Sequence, residues 1–361
     1  MKKLKRVAVR FKGLTVGFDL HKKWIEYCVL DAAGNEMLNG RVKSRAAELA
    51  KFVDQLRQKG PLQFSIEACG CFMWVFDLLS EKFGRASVHV AQPARIKVIA
   101  NSMEKNDAND AWWLAYLLYE GRLPEAFVAE GDLRDLRVAS RELRWNTDNR
   151  GDLLRRLRSH CAQSGTDLPK AWHTSLVKRK ATRVIVRSLP KSERRDAMLR
   201  LLKQIREAGK IVQHWRKRIT ELGRKFKEVE LMNEMIPGLA SITSGTVYAE
   251  LGDPRRFYSG KAYAKSTGLT PGYRESGGRS SPTAITRAGS GQARWALTRA
   301  ILACFSCRSG PGLQIKKWIQ KRCAYKRKKS VIVAAARKLA EGIWRLFALG
   351  ECFSLKKAFP A

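Results

Sequence analysis

The first third of the chain alternates short apolar runs with polar turns and amphipathic stretches. The alternation predicts three strands, then helix, strand, helix, strand and helix. The predicted strands are Thr15–Leu20, Trp24–Leu30, Glu36–Lys43, Gln63–Glu67 and Ser87–Ala91. The predicted helices are Ser44–Lys59, Phe72–Phe83 and one that begins at Pro93. We therefore expect an α/β domain over residues 1–128.

Two apolar seams with a seven-residue repeat run through the middle third, residues 129–230. One seam consists of Met198, Ile205, Val212, Ile219 and Phe226, and the other of Leu201, Ala208, Trp215, Leu222 and Val229. More than four heptads without proline predict a coiled coil, which Gly209 weakens locally. A weaker period from Leu133 to Cys161 predicts a second long helix. A helical hairpin is the simplest architecture, and its seam pairs either within the chain or with a second subunit.

The last third, residues 231–361, is predicted to be mostly helical and contains two glycine-bearing segments. Pro237-Gly238 lies between two apolar stretches and resembles the turn of a helix-hairpin-helix, which presents backbone N–H groups to phosphate. The match is partial, because Ala240 stands where a second glycine is usual. Further on, a glycine-rich segment that we interpret as a loop precedes a helix near Gln292.

Charge narrows the class of partner. The 361 residues carry a formal net charge of +37, with 70 Lys and Arg against 33 Asp and Glu. A field of this strength attracts polyanions, and nucleic acid is the first candidate. Residues 1–128 carry 20 basic and 14 acidic side chains, so the first third is the least basic. We expect no membrane span, because no apolar run of about 18 residues is present. Eight scattered cysteines favour a reducing cytoplasm over a disulfide scaffold.

Four acidic residues stand out in this basic chain. Asp19 and Glu67 end two predicted strands, and Asp107 and Asp110 lie three residues apart at the start of a helical stretch, on one helix face. The element order is that of an RNase H-like fold, in which the first strand, the fourth strand and a late helix meet at one edge. Clustered carboxylates favour divalent metal, and their hard oxygen atoms suit one or two Mg²⁺ ions. Taken singly, the two aspartates could instead stabilise a helix N-terminus.

A serine flanked by arginines lies in the glycine-rich segment. Ser276 has Arg274 and Arg279 on either side, and Arg287 follows. A nucleophile that forms a bond to phosphorus needs cations around the phosphate and room for close approach. Alone, Ser276-Gly-Gly is an ordinary turn sequence. A second basic cluster, which we expect to contact phosphate, consists of Lys316, Lys317, Lys326, Arg327, Lys328 and Lys329.

These motifs together resemble insertion-sequence-110-type transposases. The resemblance rests on the motifs Gly17-Phe-Asp19-Leu-His-Lys22, Glu67-Ala-Cys-Gly70, Lys105-Asn-Asp107-Ala-Asn-Asp110, Ile236-Pro-Gly238 and Gly268-Leu-Thr-Pro followed by Ser276-Gly-Gly. It implies a RuvC-like domain with a four-acid metal site, a coiled coil and a C-terminal domain with a nucleophilic serine. It also implies an oligomer, from dimer to tetramer, that an element-encoded bridge RNA guides to target and donor DNA in the bacterial nucleoid.

The sequence departs from the family pattern in places and leaves two alternatives open. Cys69 stands where threonine is usual, and Asn106, Ala108 and Asn109 replace the common Thr, Arg and Ile. One alternative is a metal-dependent nuclease or resolvase that uses only the four acids. The other is an inactive remnant that still binds nucleic acid. Cys304 and Cys307 have metal-ligand spacing, but no second pair follows, so we expect no zinc.

Overall fold

The computed structural model of the chain describes residues 11–93, 95–96, 107–167, 178–276 and 279–360, and the side chains of 107–109, 178–180 and 273–284 lie outside that description. The chain divides into two compact units, Met1–Val128 and Ala129–Ala361. Each unit has hydrophobic clusters of its own, as expected for regions that each contain a core.

The first unit is built on a five-stranded mixed sheet. Its strands are β1 (Leu14–Leu20), β2 (Trp24–Leu30), β3 (Glu36–Lys43), β4 (Leu62–Glu67) and β5 (Val88–Ala91). Its helices include α1 (Ala46–Arg57), α2 (Phe72–Phe83) and α3 (Asp107–Tyr119). The strand order is β3-β2-β1-β4-β5, with β1 to β3 antiparallel and with β4 and β5 parallel to β1. The predicted α/β order is confirmed, and the predicted ends of these strands and of α1 and α2 lie within two residues of the observed ones.

The central strand β1 is buried along its whole length because helices cover both faces of the sheet. Val16 and Phe18 point to one face and pack with residues of α1 and α2. Thr15, Gly17 and Asp19 alternate with them and point to the other face, where α3 lies. Burial of each large apolar side chain contributes roughly 1.5–3 kcal/mol, so the sheet position of β1 is strongly fixed.

The second unit is mainly helical. Its first three helices are α4 (Gly131–Gln163), α5 (Lys178–Ser188) and α6 (Glu193–Gly223). They are followed by α7 (Lys227–Met235), α8 (Ser241–Leu251), α9 (Gly260–Ser266), α10 (Gly291–Cys304), α11 (Gly310–Cys323), α12 (Lys328–Ala348) and α13 (Leu355–Ala358). A hairpin of β6 (Pro271–Ser276) and β7 (Arg279–Ile285) lies between α9 and α10. No helix in the described part of the chain combines the length and the apolar content that crossing a membrane requires.

The apolar seams of α6 pack against α4 within the chain. Leu157 of α4 clusters with Met198 and Ile205 near the start of α6, whereas Leu136 clusters with Ile219 near its end. The two helices are therefore antiparallel, as a helical hairpin requires.

The seams do not continue through one helix to Val229, and this part of the prediction was wrong. Helix α6 ends at Gly223, and the chain turns so that Phe226 precedes α7. Glycine is a weak helix former. The turn also brings the Phe226 ring 5.3 Å from that of Tyr248, in the core formed by α7 to α12. Phe226 packs against both this core and the α4–α6 cluster, although the helix has ended before it.

Candidate functional site

Asp19 and Glu67 stand side by side at the ends of two neighbouring strands. β1 and β4 are parallel and pair Phe18 with Ile66, so the next residue of each strand occupies adjacent positions on the same face of the sheet. Asp19 is 8% exposed, and Glu67 is half-buried. The sequence prediction that these two strand ends meet is consistent with this register.

Helix α3 lies on that same face and starts towards the strand ends that carry Asp19 and Glu67. A side chain at Gly17 would overlap the carbonyl oxygen of Ala111 and lie 2.5 Å from Ala115 N, so the helix backbone touches the strand. The far end of α3 contacts Gly34 in the β2–β3 turn through Tyr119, at the opposite end of β1. Helix α3 and strand β1 therefore have opposite directions, and the first turn of α3 lies towards the end of β1 that carries Asp19.

The first turn of α3 carries the other two predicted acids. Asp110 directly precedes Ala111 and is half-buried. Asp107 is the first residue of the helix, and its side chain lies outside the described residues. The start of α3 therefore lies towards the end of the sheet that carries Asp19 and Glu67. Within the described side chains, no group of three or more His, Cys, Asp or Glu residues is arranged to hold a metal ion.

Two neighbours of Asp19 were not predicted from the sequence. His21 Nε2 lies 2.9 Å from Asp19 Oδ2. Glu26 pairs with Asp19 in the β1–β2 register, so it shares the face of Asp19. Its Oε1 lies 3.4 Å from Arg41 Nε, and its side chain is 15% exposed. Counting the register of β1 and β2 outwards from their short connection at residues 21–23 places Glu26 opposite Asp19.

Cys69 and Cys71 follow the β4 carboxylate. Their sulfur atoms lie 3.4 Å apart, and both cysteines are free. Burial raises the pKa of the Cys69 thiol to about 11, so it is neutral at physiological pH. Cys69, in the position where the family pattern has threonine, therefore adds no negative charge beside Glu67.

Ser276 lies on a β-hairpin, and the interpretation of this segment as a loop was wrong. Ser276 is the last residue of β6 and pairs with Arg279, the first residue of β7, while Arg274 pairs with Ser281. The Gly277-Gly278 tip and the side chains around it lie outside the described residues. Gly-Gly between two short runs is itself a hairpin signal, and it was overlooked.

A cluster of three arginines lies at the base of this hairpin. Arg294 Nη1 donates to Thr267 O at 2.9 Å, and Arg144 Nη1 donates to Gly291 O at 2.8 Å. Burial lowers the pKa of Arg294, and the nearby charges of Arg144 and Arg287 lower it further. Asp148 Oδ2, 3.6 Å from Arg144 Nε, offsets part of this positive charge, and the remainder favours a bound anion.

Arg287 in this cluster has an unusual backbone. Its φ of 54° makes it the one non-glycine residue with positive φ in the described part of the chain. Such a conformation costs about 1–3 kcal/mol and persists where the surroundings impose it. Here Gly268 packs against the backbone of Arg287, since an added Cβ would lie 3.0 Å from its Cα. The sequence indicated Arg287 but gave no signal for Arg144 or Arg294.

Glu250 anchors the same region from the core side. Arg141 donates two hydrogen bonds to its carboxylate, at 2.8 and 3.2 Å, and Ser290 Oγ donates a third at 3.0 Å. The Glu250 side chain is only 5% exposed. Arg137 donates to the carbonyl oxygens of Ala249 and Glu250, and burial lowers its pKa to about 10. Helix α4 is thereby attached to the segment that leads into α10.

The predicted basic cluster near the C-terminus is solvent-facing. Lys317 and residues 326–329 are exposed, and Lys316 is half-buried. Lys326 lies over the ring of Tyr325, which is 65% exposed, and Lys328 lies over Phe305. Charges with exposed aromatic neighbours suit phosphate and base contact.

The Pro237-Gly238 turn is more enclosed than a phosphate-binding turn requires. Gly238 has φ 84°, and a Cβ there would lie 2.7 Å from Ala300 O and 2.8 Å from Cys304 Sγ. One side of the turn therefore packs on α10. The partial resemblance to a helix-hairpin-helix extends to the order helix, turn, helix in α7 and α8.

Comparisons with known proteins match two regions of the chain. Residues 16–164 match the DEDD family of IS110, described as Transposase, and residues 233–315 match the family described as Transposase IS116/IS110/IS902 family. The first match contains the four acidic positions, and the second contains the Pro-Gly turn, the hairpin and Arg287 and Arg294.

Three relatives carry transposase names. A Pseudomonas aeruginosa protein named "Probable family 20 transposase" is 23% identical over 94% of this chain and 98% of its own length. A Sinorhizobium fredii protein with the transposase name y4pF/y4sB is 34% identical over 33% of this chain, and the Yersinia enterocolitica "Transposase for insertion sequence element IS1328" is 29% identical over 33%. These two alignments span about a third of each relative, 31% and 36%.

The two family matches together span more than half of the chain, in the order that the motifs predict, and the Pseudomonas alignment extends over nearly all of it. The chain belongs to the IS110/IS116/IS902 family of transposases.

Proposed function

We propose that this protein cuts and rejoins DNA at the ends of an insertion sequence, with a four-carboxylate magnesium site and a serine nucleophile. The observation that carries the proposal is the pairing of β1 with β4, which sets Asp19 beside Glu67 under the first turn of α3. The strand order β3-β2-β1-β4-β5 supports an RNase H-like fold for this unit.

The chemistry of the acidic residues near this end of the sheet suits magnesium. Asp19, Glu67, Asp107 and Asp110 offer carboxylate oxygens, which Mg²⁺ prefers, and the neighbouring Cys69 stays a neutral thiol. When bound, magnesium would lower the pKa of an attacking group and offset charge on the phosphate. His21, held 2.9 Å from Asp19, would orient that carboxylate.

Ser276 is the proposed nucleophile. Its hydroxyl oxygen forms a bond to phosphorus, the bond from phosphorus to a sugar oxygen breaks, and the hydroxyl proton ends on the leaving sugar oxygen. Arg287, together with Arg144 and Arg294 at the base of the hairpin, would bind the phosphate of the DNA, and Arg274 and Arg279 flank the serine. Rejoining is the reverse step with a different sugar oxygen.

We also propose the partners that family membership implies. DNA is the substrate, a bridge RNA supplies the guide, and the active form is a homo-oligomer between dimer and tetramer. The net charge of +37 supports polyanionic partners. The exposed basic cluster at 316–329 supports a nucleic-acid contact outside the catalytic residues. Such a protein would act in the cytoplasm at the nucleoid.

Covalent trapping on a DNA substrate with guide RNA and Mg²⁺ tests the proposal. A protein–DNA adduct should form with the natural protein and be lost with Ser276→Ala. Ser280→Ala, a serine on the opposite strand of the same hairpin, is the matched control and should retain the adduct. Asp19→Asn should abolish cleavage while leaving DNA binding intact.

The alternatives give different outcomes in this assay. If Ser276→Ala still cuts DNA and Asp19→Asn does not, the protein is a metal-dependent nuclease or resolvase. If the natural protein binds nucleic acid but cuts no substrate, it is an inactive remnant. Recombination by Ser276→Ala at the natural rate would refute the serine mechanism.

A further inference from the structure

A cavity of about 360 Å³ opens in the second unit between helices α4, α6, α8 and α10 and the Pro237-Gly238 turn. Binding sites for small molecules enclose roughly 300–1,000 Å³, so this space suits one nucleotide. A stacked base pair could not enter without leaving its duplex. None of the residues that line the cavity is one of the four predicted acids or Ser276.

One wall of the cavity is apolar and carries an aromatic ring. Trp295 lines it and also packs against the hydrophobic core, which fixes the ring from behind. Leu302, two turns further along α10, is 40% exposed, and Ile242 lies on the α8 side. A rigid, partly open indole beside aliphatic side chains is the kind of surface on which a nucleobase stacks.

The rim of the cavity is positively charged. Arg216 of α6 and Arg299 of α10 both line it, and both are exposed. No acidic residue is among the described residues that line it. Phosphate complements two guanidinium groups in this setting, whereas an apolar peptide would leave both charges without a counter-charge.

The floor of the cavity is held in place by backbone contacts. Gly238 packs against α10, so the turn cannot move towards the cavity without losing that contact. Thr243 Oγ1 accepts a hydrogen bond from Ala240 N and donates one to Ala240 O, both at 2.9 Å. A pre-formed cavity binds without the cost of ordering it.

We propose that this cavity binds a single unpaired nucleotide, with its base stacked on Trp295 and its phosphate held by Arg216 and Arg299. The inference rests on the proposed nucleic-acid function but not on the serine or the metal. A displaced DNA strand and an RNA loop offer the same chemistry. The site therefore selects nucleic acid whose base is already out of a helix.

Binding of short oligonucleotides to the full-length protein without magnesium tests this proposal. The probes share one sequence, as single-stranded DNA, as single-stranded RNA and as duplex DNA, with 2-aminopurine at the central base. Trp295→Ala should weaken single-strand binding about tenfold, since stacking on an aromatic ring contributes about 1–3 kcal/mol per base. Duplex binding should be unchanged, and the quenching of 2-aminopurine by stacking should be lost.

Matched variants separate stacking from general effects. Trp145→Ala removes a tryptophan that is 64% exposed on α4 and should change nothing. Trp295→Phe keeps a stacking ring and should retain most of the affinity. Because Trp295 also contacts the core, Arg216→Gln with Arg299→Gln gives a second test, as both side chains are exposed. This pair should weaken single-strand binding and reduce its salt dependence, whereas Arg218→Gln on α6 should have less effect.

Equal loss of single-strand and duplex binding, or unchanged affinity in both the Trp295→Ala and the double arginine variants, would overturn the proposal. A change in oligomer mass with normal oligonucleotide binding would overturn it too, because the cavity would then belong to a protein interface. The larger loss, with DNA or with RNA, identifies the natural strand. The binding assay contains no magnesium and requires no covalent bond to DNA, so its result is independent of the adduct assay.

Discussion

In residues 1–128 the acidic side chains take their positions from the backbone, whereas in residues 129–361 the arginines take theirs from side-chain contacts. Asp19 and Glu67 are neighbours because β1 and β4 pair, and α3 lies over them because Gly17 admits its backbone. Arg137 reaches a carbonyl oxygen 112 residues away, and Arg144 reaches one 147 residues away.

This difference implies opposite sensitivities. The acidic edge, by which we mean the end of the sheet that carries Asp19 and Glu67, should keep its structure when surface side chains change. It should lose that structure when the backbone packing of β1 changes. The region around Arg137 and Arg144 should keep its structure when exposed side chains on its helices change. It should be destabilised when the carboxylate of Glu250 loses its charge.

The largest effect is expected from Gly17→Ala. The added Cβ would overlap Ala111 O, and neither the strand nor the helix backbone can yield without losing hydrogen bonds. Overpacking of this kind should lower the free energy of unfolding of the first unit by about 3 kcal/mol or more. Urea unfolding, monitored through hydrogen exchange at the amides of β1, measures this change in the free energy of unfolding.

Gly70→Ala is the control for Gly17. A Cβ at Gly70 meets nothing within 4 Å, and Gly70 is exposed. Its unfolding free energy should stay within about 0.5 kcal/mol of the natural value. If the two alanine variants are equally stable, the contact between α3 and β1 does not fix the acidic edge.

The same contrast explains which features could be predicted from the sequence. Alternation and element order are local patterns, so Asp19, Glu67 and the five strands were predictable from them. Glu26 was within reach too, because hairpin register follows from the turn. Arg144 and Arg294 were not, since nothing near them in the sequence marks Gly291 O or Thr267 O as their partners.

Long-range packing also explains the errors in the helical part. The heptad pattern continues past Gly223, but the contact between Phe226 and Tyr248 in the core bends the chain there. The hairpin carrying Ser276 has polar strands without a clear alternation of apolar residues. The local signal for it, Gly-Gly between two short runs, was overlooked, and the strands pair from Pro271 with Ile285 to Ser276 with Arg279.

A smaller loss is expected from Glu250→Gln in the second unit. The substitution keeps the shape but removes the charge that Arg141 binds and that lies close to the half-buried Arg137. Breaking a buried ion pair costs about 3–5 kcal/mol, and the half-exposed Arg141 reduces this to roughly 2 kcal/mol. Chemical denaturation monitored through the second unit measures it.

Glu221→Gln is the control for Glu250. Glu221 pairs with Arg218 on the surface of α6, and its side chain is 59% exposed. Surface pairs on a helix contribute about 0.3–0.5 kcal/mol, so the loss should be several times smaller. Similar losses for the two glutamines would mean that Glu250 contributes only as an ordinary surface pair.

The smallest loss of stability is expected when the charge of Glu125 is removed. Glu125 lies near the acidic edge. Its backbone forms a bridge to Ala91, the β5 residue that pairs with Glu67, and Ala126 N donates to Val90 O at 2.7 Å. The hydrogen bond with His89, 2.8 Å long, lowers the pKa of the Glu125 carboxyl. If the backbone sets this edge, the ion pair should add little.

A lowered folded-state pKa means that the Glu125 carboxylate stabilises the protein at neutral pH. This stability is present above the unfolded pKa, about 4.3, and is lost as the pH falls through the lower folded value. Glu125→Gln should therefore be less stable than the natural protein at pH 7, by under about 1 kcal/mol because the side chain is 55% exposed. The gap should narrow as the pH falls through the lowered folded pKa and close below it, because both proteins are then neutral at this position. Denaturation curves of both proteins, recorded at the same series of pH values, measure the gap, and their difference removes the titration of other carboxylates. A gap that does not narrow as the pH falls would show that the effect at Glu125 is one of packing rather than charge.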